Sequence, residues 1–128
     1  VAEFLDYCKE KNIFIAILTN GRPKPQQAKI DALGLHKWFD DDHIFISGGI
    51  GYQKPDSMAF KYIENAFELN PEETWYIGDT YEADVIGANG AGWNTVWFNH
   101  RNRECLENRA NVTIKSIEEL RKFILEQS

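Results

Sequence analysis

The stretch TWYIGDTYEADVIGANGAGWNTVWF, residues 74–98, joins two apolar runs through a segment rich in small residues. The runs at 74–78 and 94–98 have the length and the aromatic and β-branched content of buried strands. Residues 81–91 between them have a helical pattern in which glycine and alanine allow close approach to a sheet. A strand, a helix and a second strand with short links predict a parallel β-α-β unit.

The rest of the chain alternates in the same way, with short links and without repeats or low-complexity tracts. Further helices are predicted at 1–11 and 26–33, after the capping residue Asp56, and after Ser116, which forms a capping box with Glu119. Further strands are predicted at 13–18, at 43–47 and, as a short edge strand, at 112–114. We therefore predict a doubly wound α/β fold with a parallel sheet, as a single domain over residues 1–128.

Composition and charge exclude several classes of function. The chain has 128 residues, a net charge of -6 and 43% hydrophobic residues, which suits one globular domain with a core. The negative charge argues against nucleic acid or an anionic membrane surface as a partner. No apolar run approaches the roughly 18 residues of a membrane span, and no signal peptide is visible. Cys8 and Cys105 fit no metal or disulfide spacing, which predicts reduced thiols and a cytoplasmic location.

Polar side chains follow three of the predicted strands. In a doubly wound sheet, ligands bind beyond the carboxyl ends of the strands. These ends are followed by Thr19 with Asn20, by the glycine-rich loop that contains Lys54, and by Asp79, with Asp84 five residues later. Two neighbouring carboxylates coexist most easily around a divalent cation such as Mg²⁺, and an ammonium with a hydroxyl complements a phosphate. The pattern predicts a metal-assisted phosphate site.

Each of these residues also has an ordinary explanation when taken alone. Thr19 can simply end a strand, Lys54 can be solvated, and Asp84 is favourable near a helix N-terminus. Arg22 is better explained by solvation of the turn than by anion binding. The three histidines, His36, His43 and His100, show no ligand spacing and receive no role, and the aromatic side chains of the strands are assigned to the core or the sheet surface.

The order and spacing of three segments favour the functional explanation of these residues over the ordinary one. ILTNG at 17–21, GYQKPDSMAF at 51–60 and YIGDTYEADVIGANGAGW at 76–93 together resemble the haloacid dehalogenase superfamily of hydrolases, most of which are phosphatases. The resemblance covers residues 13–98 and three of that family's four motifs. It implies a Rossmann-like core and a Mg²⁺-dependent phosphatase that acts on a small phosphorylated metabolite.

The resemblance also implies roles for single residues. Thr19, with the backbone of Asn20, would bind the transferring phosphoryl group, and Lys54 would stabilise its charge. Asp79 would bind Mg²⁺ directly, and Asp84 would act on the metal through water or neighbouring groups. The catalytic assignments are thus Thr19 and Lys54, and the metal assignments are Asp79 and Asp84.

One motif of that family has no counterpart in the sequence. Its first strand ends in Asp-x-Asp, whose first carboxylate is the nucleophile, and a helical cap follows that motif. The nearest run, Asp40-Asp41-Asp42, is not preceded by a strand and is interpreted as a solvated acidic turn. We expect the chain to be the C-terminal part of such a core, without its central first strand and cap. A missing N-terminal segment of the same protein is then a partner, and the chain alone lacks the nucleophile.

Two alternatives remain open. The chain can be a non-catalytic phosphate- or metal-binding or regulatory module, for which the absent nucleophile is the main argument. It can also belong to a phosphosugar mutase or a dehalogenase of the same family, although Gly78-Asp79 favours phosphate over halide chemistry. A receiver-type signalling domain is disfavoured because Thr19 and Lys54 precede Asp79 in the sequence.

Overall fold

A computed structural model describes residues 2–105 and 107–127, so that Val1, the first residue of the first predicted helix, lies outside the described residues. The chain forms two compact units, one up to Gln53 and one from Lys54 onward. Both combine helices with parallel strands, which confirms the predicted α/β class. No helix within the described ranges has the length and apolar character needed to cross a bilayer.

The first unit contains a two-stranded parallel sheet. Its elements are α1 (Ala2–Glu10), β1 (Ile17–Thr19), α2 (Pro23–Ala32), 3-10 turns at Leu35–Lys37 and Asp41–His43, β2 (Ile44–Ile46) and α3 (Ser47–Ile50). Strands β1 and β2 align with Ile17 opposite Ile44. The core is made by Leu5, Cys8, Leu18, Ile30, Phe39 and Phe45, all of them buried.

The second unit contains a three-stranded parallel sheet in the order β3-β4-β5. Its elements are α4 (Ser57–Phe67), a 3-10 turn at Pro71–Glu73, β3 (Trp75–Gly78), a π-helical segment (Tyr81–Ile86), α5 (Gly87–Gly90), β4 (Asn94–Phe98), β5 (Val112–Ile114) and α6 (Ile117–Gln127). Strand β5 lies at the edge of the sheet, as predicted. Val96, Ile114, Leu120 and Phe123 form a buried cluster between the sheet and α6.

The predicted helix starts are confirmed by hydrogen bonds. Asp56 Oδ1 accepts the Met58 N–H at 2.9 Å, at the start of α4. At the start of α6, Ser116 Oγ accepts the Glu119 N–H at 3.2 Å, and the Glu119 carboxylate accepts the Lys115 N–H at 3.1 Å. Such caps satisfy backbone donors that have no partner within the helix.

Several element boundaries differ from the prediction. Strand β1 occupies 17–19 instead of 13–18, and Ile13 and Phe14 are exposed. Pro23 and Pro25, expected in a turn, lie in the first turn of α2, where the missing proline N–H costs nothing. Residues 47–50, predicted as strand end and loop, form the single turn α3. The predicted helix at 81–91 begins as a π-helix.

The two sheets also show which strands are paired. Within the described residues β1 pairs with β2, and β3 pairs with β4. One side of β1 and one side of β3 therefore lack a paired strand in these sheets. The missing central strand predicted from the resemblance stays a prediction.

Candidate functional site

A buried ion pair lies at the centre of the second unit. Lys54 Nζ donates to Asp84 Oδ1 at 2.6 Å and to Tyr76 Oη at 3.0 Å. The side chains of Lys54 and Asp84 are only 12% and 5% exposed. The other oxygen of Asp84, Oδ2, accepts the Thr80 N–H at 3.0 Å. Both charges are thus compensated, as buried charges must be.

The position of Asp84 depends on Gly78, the last residue of β3. A Cβ at Gly78 would collide with the Asp84 carboxylate. Asp84 belongs to the π-helical segment, and its N–H donates to Thr80 O at 2.8 Å. Short π-helical segments are frequent at functional sites. The absent side chain at 78 and the wide helical turn together bring this carboxylate against the end of the strand.

Burial and charge act in opposite directions on Lys54. Burial by itself lowers the pKa of Lys54, but the charge interaction with Tyr76 and the hydrogen bond to Asp84 raise it, and the net pKa lies above the ordinary lysine value. For the neutral Tyr76 hydroxyl, burial instead raises the pKa. Lys54 is therefore a cation at neutral pH and can stabilise negative charge.

Asp79 directly follows β3 and is more open than Asp84. Its side chain is 45% exposed, and Thr80 Oγ1 donates to its Oδ1 at 3.2 Å. Its Oδ2 lies 3.3 Å from His100 Nε2 and 3.6 Å from Arg101 Nη2. Burial acts to raise the pKa of Asp79, but the hydrogen bonds from His100 and Thr80 and the charge of Arg101 lower it below the ordinary value. Asp79 is a carboxylate that solvent reaches.

The carboxylate oxygens of Asp79 and Asp84 are of the kind that a magnesium ion binds. Mg²⁺ prefers oxygen ligands, keeps several waters and usually binds one or two carboxylates. Asp79 offers accessible oxygens, and each oxygen of Asp84 retains a lone pair beyond its bond to Lys54 or Thr80. The Asp84 carboxylate itself occupies the place that a side chain at Gly78 would take. The metal assignments of Asp79 and Asp84 themselves stay predictions.

The first unit holds Thr19 and Asn20 at the carboxyl end of β1. Gln26 Nε2 donates to Thr19 Oγ1 at 2.9 Å and to Asn20 O at 2.7 Å. This side chain, from the first turns of α2, fixes the backbone just beyond the strand. Thr19 and Asn20 belong to the first unit, and Lys54, Asp79 and Asp84 to the second, so their predicted convergence on one phosphate stays a prediction.

A serine ties the segments that follow β1 and β2. Ser47 Oγ accepts the Gly21 N–H at 2.8 Å and donates to Gly21 O at 3.3 Å, and the Gly48 N–H donates to the same carbonyl at 2.9 Å. Gly21 has φ +145°, which side chains rarely adopt. The carboxyl ends of the two strands are therefore held in one defined arrangement.

The acidic turn before β2 was interpreted as a solvated turn, and Asp40 and Asp42 are indeed exposed. Ligand atoms of Asp40, Asp42 and His43 lie within 4.8 Å of one another. His43 Nδ1 is 2.9 Å from Ile15 O. Exposed acidic groups this close are common without a metal, so we assign the turn no function.

Sequence reasoning did not find Tyr76, Gln26, Ser47 and His100. Tyr76 was assigned with the other aromatic residues to the core or sheet surface, and nothing local marks its hydroxyl as the partner of Lys54. His100 could have been found, because it follows β4 as Asp79 follows the adjacent β3. The rule that predicted Asp79 applies equally to it.

Comparison with known proteins identifies relatives of this chain. The family description "haloacid dehalogenase-like hydrolase" matches residues 1–92. Pyrimidine 5'-nucleotidase YjjG of Escherichia coli is 35% identical over 88% of this chain, and a glyceraldehyde 3-phosphate phosphatase of Pyrococcus furiosus is 37% identical over 72%. The structure of the HAD-hydrolase YfnB of Bacillus subtilis bound to magnesium superposes with a TM-score of 0.83 over 96% of this chain, at 29% identity.

The chain is shorter than the proteins it resembles. It covers 50% of the nucleotidase, 38% of the glyceraldehyde 3-phosphate phosphatase and 54% of the YfnB chain. The chain therefore spans about half of such a protein or less.

Proposed function

The chain belongs to the haloacid dehalogenase-like hydrolase family, and we propose that the natural protein containing it is a Mg²⁺-dependent phosphatase for a small phosphorylated metabolite. Relatives that carry phosphatase and nucleotidase names support this activity. The observation that carries the proposal is the buried Lys54–Asp84 pair next to the open carboxylate of Asp79 at the end of β3. This arrangement holds a fixed cation beside an accessible cation ligand.

Each residue has a role in the proposed reaction. Lys54 remains protonated and stabilises charge on the transferring phosphoryl group. Asp84 positions the Lys54 ammonium through the 2.6 Å contact. The hydroxyl of Thr19 and the backbone of Asn20 bind the phosphoryl oxygens, and Gln26 holds both in place. These groups act by positioning and electrostatics, which dominate phosphoryl transfer.

Asp79 would hold the magnesium ion, with Asp84 acting on it through water or neighbouring groups. When bound, Mg²⁺ neutralises developing charge on the phosphoryl oxygens. The structure of the relative YfnB bound to magnesium supports this choice of metal. Thr80, His100 and Arg101 contact the Asp79 carboxylate and would fix its orientation.

The nucleophile in this proposal is a carboxylate on a segment preceding residue 1. One side of β1 and one side of β3 lack a paired strand among the described residues, which is consistent with a further strand supplied by that segment. Turnover then requires the natural protein and not residues 1–128 alone.

Hydrolysis of a generic aryl phosphate by the natural protein, with and without Mg²⁺, tests the proposal. Asp79→Asn should lower kcat/KM by about 100-fold or more, because it removes a charged metal ligand. Mg²⁺ should raise the melting temperature of the natural protein and not that of this variant.

Glu82→Gln is the matched control, since Glu82 is an exposed carboxylate three residues away. It should keep both the activity and the Mg²⁺ response. Absence of Mg²⁺-dependent hydrolysis in the natural protein, or equal losses in the two variants, would contradict the phosphatase and favour a binding or regulatory module.

A further inference from the structure

A cavity of about 490 Å³ opens in the first unit beside the ends of β1 and β2. It is lined by Gly21, Arg22, Ser47, Gly48, Tyr52 and Gln53 among others. None of these residues has a role in the phosphatase proposed above. The cavity is large enough for a small organic group in addition to water.

Arg22 is the charged side chain of this cavity. It stands at the N-cap of α2, but its side chain makes no capping hydrogen bond. The ion pairs found in the described part of the first unit are made by His36 and His43 with aspartates, and none involves Arg22. The guanidinium therefore has no carboxylate partner within the chain as described.

The walls of the cavity are fixed before any ligand binds. The hydrogen bonds of Ser47 and Gly48 to Gly21 join the two segments that line it. A Cβ at Gly48 would lie 2.8 Å from Gly21 O, so this close approach needs glycine. Tyr52 is 39% exposed and offers an aromatic surface on another wall. A preformed cavity loses little entropy when it binds a ligand.

The sequence connects the cavity to the proposed phosphate groups. Arg22 comes two residues after Asn20, and Gln53 directly precedes Lys54. Both segments assigned to the phosphoryl group thus continue into the cavity lining. A substrate held by its phosphate at Thr19 and Asn20, in the same unit as the cavity, would present its remaining part to this lining.

We propose that the cavity binds a second anionic group of the substrate, with the Arg22 guanidinium as its principal ligand. The inference rests on the proposed phosphatase activity and makes it more specific. The substrate class becomes small phosphate esters that also carry a carboxylate or a second phosphate. A guanidinium donates two parallel hydrogen bonds to a carboxylate or a phosphate. A neutral hydroxyl group cannot accept such a pair of hydrogen bonds.

Steady-state kinetics of the natural protein on three esters of similar size tests the inference. The substrates are a phosphorylated hydroxy acid, a bisphosphate and an uncharged alkyl phosphate. Arg22→Met should raise KM about tenfold or more for whichever ester with a second anionic group the wild type prefers, with kcat nearly unchanged. KM for the alkyl phosphate should stay within about twofold. Arg22→Lys should recover part of the loss, because lysine keeps the positive charge but lacks the paired N–H donors of the guanidinium.

Lys24→Met is the matched control. Lys24 lies two residues further on in α2, is exposed and does not line the cavity, so the variant makes the same change in net charge. It should leave all three substrates unaffected. The ester preferred by the wild type identifies the anion as carboxylate or phosphate.

The outcomes separate the two proposals. No hydrolysis of even a generic aryl phosphate would overturn the phosphatase and this inference with it. Hydrolysis without preference for either ester that carries a second anionic group would overturn the inference alone. Equal effects of Arg22→Met and Lys24→Met would do the same.

Discussion

Single side chains decide how the charges of this protein are arranged. The sequence places Lys54 in a glycine-rich loop, where a lysine taken alone is more often solvated than functional. The structure buries it between Asp84 and Tyr76, with its Nζ 5.4 Å from the centre of the Tyr76 ring. Sequence spacing could indicate that lysine and aspartate share a sheet edge. It could not indicate which aromatic side chain covers them. Alternation along a strand shows which face of the sheet a side chain lies on, but not which residue it contacts there.

Removal of the Lys54 ammonium should destabilise the second unit strongly. Lys54→Met leaves Asp84 buried without its cation, and we expect a loss of about 3–5 kcal/mol in the free energy of unfolding. Adding Asp84→Asn should restore part of that loss, since no charge then remains buried. Urea denaturation measures both effects.

The control for this variant is Lys61→Met. Lys61 pairs with Glu64 at 3.2 Å, but its side chain is 35% exposed. The expected loss is smaller than at Lys54, because the Lys61 ammonium is more open to solvent. Similar losses at 54 and 61 would show that the Lys54–Asp84 pair is not shielded from solvent.

At the scale of elements, periodicity found every strand and every long helix, but not their limits. The apolar run at 13–18 predicted a strand, yet pairing with β2 begins only at Ile17. An apolar run shows what can be buried, and strand ends depend on the partner strand. The helix after β3 begins as a π-helix that contains Asp84. Asp84 also contacts Lys54, 30 residues earlier, and a helical pattern does not report so distant a contact.

Substitution at the end of β3 tests how closely the strand and the following helix approach. Gly78→Ala inserts a methyl group into the Asp84 carboxylate. We expect a loss of roughly 1–3 kcal/mol in unfolding free energy, as for other overpacked sites. The variant should also lose the Mg²⁺-induced rise in melting temperature.

Gly90→Ala serves as the reference, because a Cβ there meets only Ser57 Cβ at 3.9 Å. Alanine favours helix over glycine, so this variant should be neutral or up to about 1 kcal/mol more stable. If alanine at 78 is tolerated as well as alanine at 90, Asp84 does not depend on the gap at Gly78.

For the whole molecule, the alternation of helices and strands was sufficient to predict the α/β class and parallel pairing. The division into two compact units was not predicted, since no linker or change in composition marks residue 53. The single domain over residues 1–128 and the cytoplasmic location stay predictions. The two cysteines belong to different units and are both free thiols, Cys8 buried and Cys105 partly exposed.

The buried Cys8 thiol should make the free energy of unfolding depend on pH. Burial raises the pKa of the Cys8 thiol above its ordinary value of 9.0. Above about pH 9 the unfolded chain releases this proton while the folded chain retains it, so the unfolding free energy falls as pH rises, by at most about 1.4 kcal/mol per pH unit. Urea denaturation between pH 7.5 and 9.5 should show a weaker pH dependence for Cys8→Ala than for wild type.

Labelling with a thiol reagent at neutral pH offers an independent readout, in which Cys105 reacts quickly and Cys8 only when the first unit opens. Rapid labelling of both thiols would contradict the burial of Cys8.

The double hydrogen bond between Ser47 and Gly21 has a practical implication for altering what this protein accepts. Gly21, Ser47 and Gly48 are poor targets for mutagenesis, because they make these hydrogen bonds and a Cβ at Gly48 would lie 2.8 Å from Gly21 O. Arg22, Tyr52 and Gln53 also line the cavity, make none of these bonds and can be randomised together. A library restricted to these three sites would explore new ligand preferences while leaving the scaffold undisturbed.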